Sequence, residues 1–457
     1  MPPSKSIHAA ASAPDIRTAG IRTREVSLQR LLIAFIATGL FFLLLPGTFL
    51  GVWNLLAISG GHSATDVSPA WLQAHGHAQI FGWIGSFIIG IGFFSLSKMS
   101  GIQPFVLARG WMCWALWTCG VLLRWTTNIY GWHWRAMLPV SAVIEIGAFL
   151  IFFLSVGRQK RKQMESAKLK GQAYKREIWM KLALASSIGF LLTLVASLGA
   201  TFYVALSSDT PALPHLLDER LLVLTLWGFI ALAIWGFSSR WLPVFVGLRK
   251  PDDRMLLMAL ACVEAAVIAE AAGAARLSGV LLLIGAVGAV FGLNIFTPSE
   301  RPPKTKGIHS SFPAFVRIAY GWMLFAAAAT ILALVSDHAG GIWGASRHAL
   351  TVGFISTMVF AIGQRVLPAF SGMRTLFSPG VMFASLLTLN IGCFVRVASE
   401  IAAYENNVAS AWSALPVSAI LEMTGVTLFA LNLLLTLLSR PPHEARLKEF
   451  QATTVVE

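Results

Sequence analysis

The sequence predicts an all-α fold, a polytopic membrane bundle of about twelve transmembrane helices. Of its 457 residues, 56% are hydrophobic and only 12% are charged, and the mean hydropathy is +0.70. This composition excludes a soluble globular enzyme and makes the lipid bilayer the expected surroundings. A formal net charge of +14 would indicate a nucleic-acid partner in a soluble protein. In a membrane protein it indicates basic cytoplasmic loops instead, so we expect no nucleic-acid partner.

Apolar runs long enough to cross a membrane divide the chain, since about 20 helical residues cross roughly 30 Å of hydrocarbon. We expect one membrane domain over residues 29–438, between cytoplasmic tails at 1–28 and 439–457. Because Met1–Arg30 is polar and basic and the first apolar run is long enough to span, we expect no cleavable signal peptide. The predicted spans, numbered 1 to 12 in order, cover approximately residues 29–50, 71–97, 108–126, 136–156, 180–206, 220–247, 254–273, 276–296, 314–335, 345–370, 379–398 and 412–438.

With the N-terminus inside, the basic residues fall almost entirely on one side of the predicted bundle. This arrangement places 29 of the 35 Lys and Arg residues on the cytoplasmic side, many of them between Arg158 and Lys181. The asymmetry predicts that both termini are cytoplasmic. The basic residues left on the outer side are Arg124, Arg135, Arg220, Arg276, Arg347 and Arg396.

The spans resemble one another in a way that indicates an internal repeat. In span 6, Gly228 and the segment Arg240–Arg249 are matched in span 10 at an offset of 125 residues, and Gly82 of span 2 precedes Gly228 by 146 residues. Pro139–Glu145 of span 4 is matched by Pro416–Glu422 of span 12. These matches predict a four-helix unit used three times, unlike the six-plus-six repeat of many transporters. The three units cover about residues 29–156, 180–296 and 314–438.

Three histidines stand at equivalent depth at the outer ends of spans 2 and 10. His77 precedes Gly82 by five residues and His348 precedes the matching glycine by five, whereas span 6 carries Val223 in that register. A histidine within a membrane is costly unless it is paired or ligated, so His75, His77 and His348 are candidate cofactor ligands. About 100° per residue puts His75 and His77 on opposite faces of one helix, so they serve two cofactors, or only one of them ligates. The alternative is that all three bond loop backbone.

Charged residues within the outer halves of the spans also follow the repeat. Arg124 with Glu145, and Arg396 with Glu422, lie in adjacent spans, where unpaired charges are expensive. Structural salt bridges are one interpretation. The other is that basic side chains hold the propionates of a haem near the outer surface, namely Arg124, Arg135, Arg347 and Arg396.

Two segments resemble a known family. Ala74–Gly82 and Arg347–Met358 are similar to the two signature segments of the NnrS family, bacterial membrane proteins associated with denitrification and nitric-oxide stress and described as haem- and copper-containing. The architecture also resembles, more distantly, subunit I of haem–copper oxidases. The resemblance implies a multi-pass protein of the bacterial inner membrane that binds haem near its outer face and takes part in the response to nitric oxide. It implies that the cofactor and metal ligands are His75, His77 and His348.

The resemblance to oxidases has limits that narrow the predicted chemistry. An oxidase or nitric-oxide reductase core needs a histidine in span 6, a His-His pair after it and two histidines in span 10. This chain has Val223, no such pair, and one histidine in span 10, so we do not expect respiratory oxygen reduction. Nitric-oxide-related redox activity stays open. Copper would require histidines from the outer loops, namely His62, His133, His215 or His338.

Two other functions remain possible from the sequence. A transporter or channel would use a polar path through the repeats, lined by the acidic residues Glu145, Glu264, Glu270 and Glu422. An assembly or electron-relay partner of a respiratory or denitrification complex would hold a cofactor without turning over a substrate. A haem protein is distinguished from the transporter by its colour.

Overall fold

The computed structural model describes residues 16–99, 107–169, 177–406 and 408–439. In this part of the chain all regular structure is helical, and ten helices are long and apolar enough to cross a membrane. The predicted fold class, an all-α polytopic membrane bundle, is therefore confirmed. Leu107–Tyr130 and Asp253–Ala271 occupy the places of spans 3 and 7 but are not among those ten, so the count of twelve spans stays a prediction. Most of the two predicted tails, and residues 170–176 of the basic stretch 158–181, lie outside the described residues.

Eight long helices run without a change of helix type. They are α3 (Leu107–Tyr130), α4 (Trp134–Leu169), α5 (Ile178–Ser207), α7 (Asp253–Ala271), α8 (Ala275–Gly292), α9 (Phe312–Ser336), α11 (Pro379–Tyr404) and α12 (Ala409–Leu438).

Four further helices contain a π-helical segment between two α-helical ones. They are α1 (Ile16–Phe42, Leu43–Phe49, Leu50–Gly61), α2 (Pro69–His77, Ala78–Gly85, Ser86–Met99), α6 (His215–Val223, Leu224–Ala231, Leu232–Phe245) and α10 (Gly341–His348, Ala349–Ser356, Thr357–Phe370). Each of the twelve predicted spans thus coincides with one long helix of the described residues.

The π-helical segments of α2, α6 and α10 recur in one register. Their first residues are separated by 146 and then 125 residues, which are the offsets found in the sequence. A π-helical turn is wider than an α-helical turn, is rare, and is frequently found at functional sites. Its threefold recurrence shows that the sequence similarity corresponds to similarity of backbone. The residues directly before the three segments are His77, Val223 and His348.

The π-helical segment of α1 has a local cause in the sequence. Pro46 lies within it, and proline has no N–H to donate and crowds the preceding helical turn. The wider turn lets α1 continue past the proline to Gly61, and the carbonyl oxygen of Pro46 accepts a hydrogen bond from Trp125 Nε1 at 3.1 Å. The next residue, Gly47, becomes part of the candidate site.

Aromatic rings pack against the glycines of α2 and bring its neighbours close. A Cβ atom on Gly82 would lie 2.6 Å from the Phe42 ring, and one on Gly85 would lie 2.7 Å from the Trp117 ring. Such contacts require glycine, because real Cβ atoms do not approach this closely. The small-residue face of α2 therefore serves helix packing, as is common in membrane bundles.

Rings also join the first and third repeats. Trp83 of α2 meets Phe360 of α10 and Phe429 of α12 edge-on, at centroid distances of 5.9 and 6.5 Å. Phe360 and Phe429 stack on each other at 3.8 Å. We call the end of the bundle where α2, α6 and α10 begin the histidine end, and the opposite end the basic end.

Candidate histidine site

His75 is held against α1 by a backbone hydrogen bond. Its Nδ1 lies 2.9 Å from the carbonyl oxygen of Gly47, in the π-helical segment of α1. The ring also lies on Gly51, where a Cβ atom would be 2.5 Å from Cε1 of His75. The hydrogen bond occupies Nδ1, which leaves Nε2 as the ring nitrogen for a ligand. A histidine held in this way has its ring orientation fixed before any ligand binds.

His348 is fixed in a similar way on α10. Its Nδ1 lies 2.9 Å from the carbonyl oxygen of Gly344 and 3.0 Å from Oε2 of Glu400 on α11. Gly344 is required here because a Cβ atom would collide with the Glu400 carboxylate. Arg396 lies one turn before Glu400, with Nε 3.3 Å from Oε2. His348 therefore also uses Nδ1 for its protein contacts and keeps Nε2 for a ligand.

The two histidines share one polar region at the histidine end. Among the charged groups that act electrostatically on His75 are His348 and Arg396, on α10 and α11. Glu422 of α12 faces the same group, because the charges that act on it are those of His348, Arg396 and Glu400. We call this set of five residues the His75–His348 cluster: His75, His348, Arg396, Glu400 and Glu422.

His77 belongs to a second cluster on another face of α2. Its Nε2 lies 2.9 Å from Oε1 of Glu145 on α4, and both side chains are buried, with exposed fractions of 8% and 2%. The ring stacks on Phe81 at 4.6 Å. The opposite-face prediction for His75 and His77 is thus confirmed, since one contacts α1 and the other contacts α4. Glu145 occupies Nε2 of His77, the nitrogen that remains available in His75 and His348.

Of the two interpretations of the arginines, direct salt bridges of Arg124 with Glu145 and of Arg396 with Glu422 are not formed among the described residues. Glu145 bonds His77 rather than Arg124, and Arg396 pairs with Glu400 of its own helix rather than with Glu422. Arg124 is buried beside the charges of Glu145 and Asp218. Glu145 and Arg396 each contact a different partner, because a buried charge is stabilised most by a contact at hydrogen-bond distance.

Arg347 stands between the two clusters. Its charge acts on Asp218 of α6 and on Glu400 of α11. Arg135, in contrast, is engaged elsewhere: its two guanidinium Nη atoms donate to the carbonyl oxygens of Ala205 and Ser208. The predicted site residues therefore divide into His75, His348 and Arg396 in one cluster, His77 and Arg124 in the other, and Arg347 between them.

Several buried polar atoms around the His75–His348 cluster have no hydrogen-bond partner among the described residues. They include Oε1 of Glu422 and, one turn beyond Gly51, both amide atoms of Asn54. A buried polar atom without a partner costs about 1–3 kcal/mol, so each of these atoms requires a water molecule or a bound group. His75 and His348, each with Nε2 left over, are the residues that could hold haem iron, and the Arg396 guanidinium is the group that could meet a propionate.

A loop at the histidine end positions the start of α10 and hence His348. The Glu405 carboxylate accepts the backbone N–H groups of His338, Ala339 and Gly341 at 3.0 to 3.2 Å. Partial burial raises the pKa of Glu405, but these donors and the Asp337 side chain outweigh it and hold the pKa below the ordinary value of 4.5. Asp337 in turn accepts the N–H groups of Gly340 and Trp343.

The outer-loop histidines do not provide a donor set for copper. His62 stacks on Trp412 at 5.1 Å, His133 lies against Trp132, and His215 lies 3.1 Å from Glu219. In the parts of the chain that the structure describes, no three His, Cys, Asp or Glu side chains come together as a metal site. A copper ion held by three protein ligands therefore has no donor set among the described side chains.

Comparison with known proteins gives the family and the fold of the chain. The family model described as NnrS protein matches residues 33–441. The chain belongs to the NnrS family. No curated protein matches the sequence. A similar solved structure is a haem–copper terminal oxidase dimer determined by cryo-EM, with a TM-score of 0.65 and 12% identity over 90% of this chain and 84% of that chain. At this identity, the likeness of this NnrS-family chain to the oxidase shows the fold alone.

Sequence reasoning missed two residues of the site in this NnrS-family protein. Glu400 and Asp218 fall just outside the predicted spans 379–398 and 220–247, but α11 continues to Tyr404 and α6 begins at His215, which brings both carboxylates into helices. Glu400 is buried against His348. The spacing from Arg396 to Glu400 is four residues, the distance of a helical ion pair, and was the signal available in the sequence.

Proposed function

We propose that this chain is a haem-binding protein of the bacterial inner membrane that takes part in the response to nitric oxide or nitrosative stress. Membership of the NnrS family, a multi-pass bundle with the fold of a haem–copper oxidase, and the residues of the His75–His348 cluster support the proposal. The main observation behind it concerns two imidazoles that lie in one polar region. His75 and His348 both use Nδ1 for protein contacts, which leaves Nε2 of each ring available.

In this proposal the Nε2 atoms of His75 and His348 are the candidate ligands that would hold haem iron, near the outer face of the membrane. Bound haem supplies an iron centre for binding nitric oxide or for exchanging electrons. Gly47 and Gly344 fix the two rings through their carbonyl oxygens. Arg396 and Arg347 supply positive charge for the propionates, and Glu400 limits that charge by pairing with Arg396.

His77 has a different task in this proposal. Its ring nitrogen Nε2 is engaged by Glu145, and its ring is stacked on Phe81. The nitrogen left over in His77 is Nδ1, the one nearer the backbone, whereas His75 and His348 both leave Nε2. We therefore assign His77 to the packing of α2 against α4, next to Arg124, and not to iron ligation.

The test is the haem content of purified protein after expression with ample haem supply. We expect a Soret band that is lost or strongly weakened in His75→Ala and in His348→Ala, and retained in His77→Ala. The His77→Ala variant is the matched control, because it removes the same side chain two residues away on the same helix. Colourless wild-type protein would overturn the proposal in favour of a transporter that uses buried glutamates. Haem that is equally retained in all three variants would overturn the ligand assignment.

Nitric-oxide binding is tested separately on the same preparations. We expect a spectral change on adding nitric oxide to the reduced wild-type protein, and a weaker change in the variants that hold less haem. Haem without any such change would favour an electron relay that serves a respiratory or denitrification complex.

A further inference from the structure

A cavity of about 750 Å³ opens at the basic end of the bundle, opposite the histidine end. It lies between the start of α5, the end of α6, the start of α7 and the segment that follows α8. Its size is that of a pocket for a drug-sized organic group rather than for a lone ion. The residues that define its character are Trp179, Arg240, Pro243, Lys250, Arg301 and Lys304.

The walls of this cavity carry a surplus of positive charge. Two ion pairs cancel at its edge: Arg240 with Glu177 at 3.1 Å, and Arg249 with Glu300 at 2.7 Å. Three further basic side chains line the cavity and have no acidic partner within 4 Å among the described residues. They are Lys250, Arg301 and Lys304, set against one further lining carboxylate, Asp253.

The segment that carries two of these cations is fixed to the end of α6. The N–H of Glu300 donates to the carbonyl oxygen of Gly247 at 2.8 Å, and the N–H of Lys304 donates to that of Phe245 at 2.9 Å. Gly247 has a φ of +79°, and a Cβ atom there would collide with the carbonyl oxygen of Arg301. Only glycine permits this close approach in a left-handed conformation, so the basic wall is built into the backbone.

The cavity also has the features of the membrane–water interface. Pro243 and Val244 form an apolar wall, and Val244 is 44% exposed on the surface of α6. Trp179 presents an indole whose Nε1 donates to Glu177 at 2.6 Å, the arrangement of a tryptophan at headgroup depth. A ligand here meets cations on one side and hydrocarbon on the other.

We propose that this cavity binds the phosphate-bearing headgroup of an anionic phospholipid. Lys250, Arg301 and Lys304 contact the phosphate, and the glycerol backbone and first acyl carbons lie along Pro243 and Val244. Basic pockets between membrane helices on the cytoplasmic side are suited to such headgroups, because they combine charge with access from the bilayer. The site is independent of the haem proposal, since none of its residues belongs to the two histidine clusters.

The experiment measures the unfolding temperature of detergent-purified protein as phosphatidylglycerol or phosphatidylcholine is titrated in. We expect phosphatidylglycerol to raise the unfolding temperature at concentrations where phosphatidylcholine has no effect, and the gain to shrink in high salt. In the triple variant Lys250→Gln, Arg301→Gln and Lys304→Gln, the concentration for half the gain rises about tenfold or more.

A matched control removes three exposed cations predicted to lie on the same side of the membrane but outside the cavity. It carries Arg109→Gln, Arg158→Gln and Arg161→Gln, and we expect less than about a twofold change. Equal losses in both triple variants would overturn the proposal, because they would show attraction to overall charge. An equal gain from inorganic phosphate alone would also overturn it, because the site would then bind free anions rather than a lipid. If the cavity triple variant does not fold, Lys304→Gln alone is compared with Arg109→Gln.

Discussion

The buried contact between His77 and Glu145 allows a quantitative test of how the second cluster is held together. The perturbation is a double-mutant cycle with His77→Leu, Glu145→Leu and the double variant. Both side chains are under a tenth exposed and their atoms lie 2.9 Å apart. Removing one partner leaves a buried polar group unpaired, at about 1–3 kcal/mol. Hydrogen bonds between membrane helices couple by about 0.6 kcal/mol on average and up to about 1.7 kcal/mol, and full burial places this pair at the upper end.

We therefore expect a coupling energy of about 1–2 kcal/mol, measured by reversible unfolding in mixed micelles. The matched control is His215 with Glu219, also a His–Glu pair at 3.1 Å, but with a His215 side chain that is 73% exposed. Its coupling should stay below about 0.5 kcal/mol, because water screens the contact. If the His77 and Glu145 substitutions add within about 0.3–0.5 kcal/mol, the contact does not stabilise the bundle and the reasoning is refuted.

Three further predictions follow from other parts of the molecule. Gly85→Ala should cost about 1–3 kcal/mol of unfolding free energy, because its Cβ would press on the buried Trp117. Gly147→Ala, with open space around the new Cβ, should be neutral or stabilising. Equal effects of the two substitutions would contradict the packing account. Because the pKa of Glu405 is lowered in the folded state, its carboxylate stabilises the fold above about pH 4.5, and this stabilisation is lost as the pH falls. Glu405→Gln should therefore lower the unfolding temperature at about pH 7 and have no effect well below pH 4.5. A difference in unfolding temperature that does not change with pH would contradict this. Asp209 is predicted on the outer side of the membrane and Lys304 on the cytoplasmic side. In a cysteine-free background, Asp209→Cys should therefore react with an impermeant maleimide in intact cells, and Lys304→Cys only after permeabilisation. The reverse result would contradict the cytoplasmic placement of both termini.

The helices and the repeat were predictable because hydropathy and the spacing of glycine and proline are local features of the sequence. The offsets of 146 and 125 residues between the three repeats reappear in the π-helical segments of α2, α6 and α10. Helix ends were less predictable. Span 1 was expected to end near residue 50, yet α1 continues past Pro46 to Gly61, because a π-helical turn accommodates the proline.

The candidate site was predictable in its residues but not in its partners. The sequence singled out His75, His77 and His348 by register, but which carboxylate meets which imidazole depends on the rotation of helices that are distant in the chain. Glu145 was a candidate salt-bridge partner of Arg124, and its direct contact is with His77. Glu400 escaped notice because polar residues near a helix end resemble a loop in a hydropathy profile, whereas the helix buries that carboxylate against His348.

The optical spectrum of the purified protein tests the central claim most directly. We expect the wild-type protein to show a Soret band, His75→Ala and His348→Ala to lose most of it at unchanged protein yield, and His77→Ala to retain it. Colourless wild-type protein, or a band that depends on His77 rather than on His75, would contradict the account.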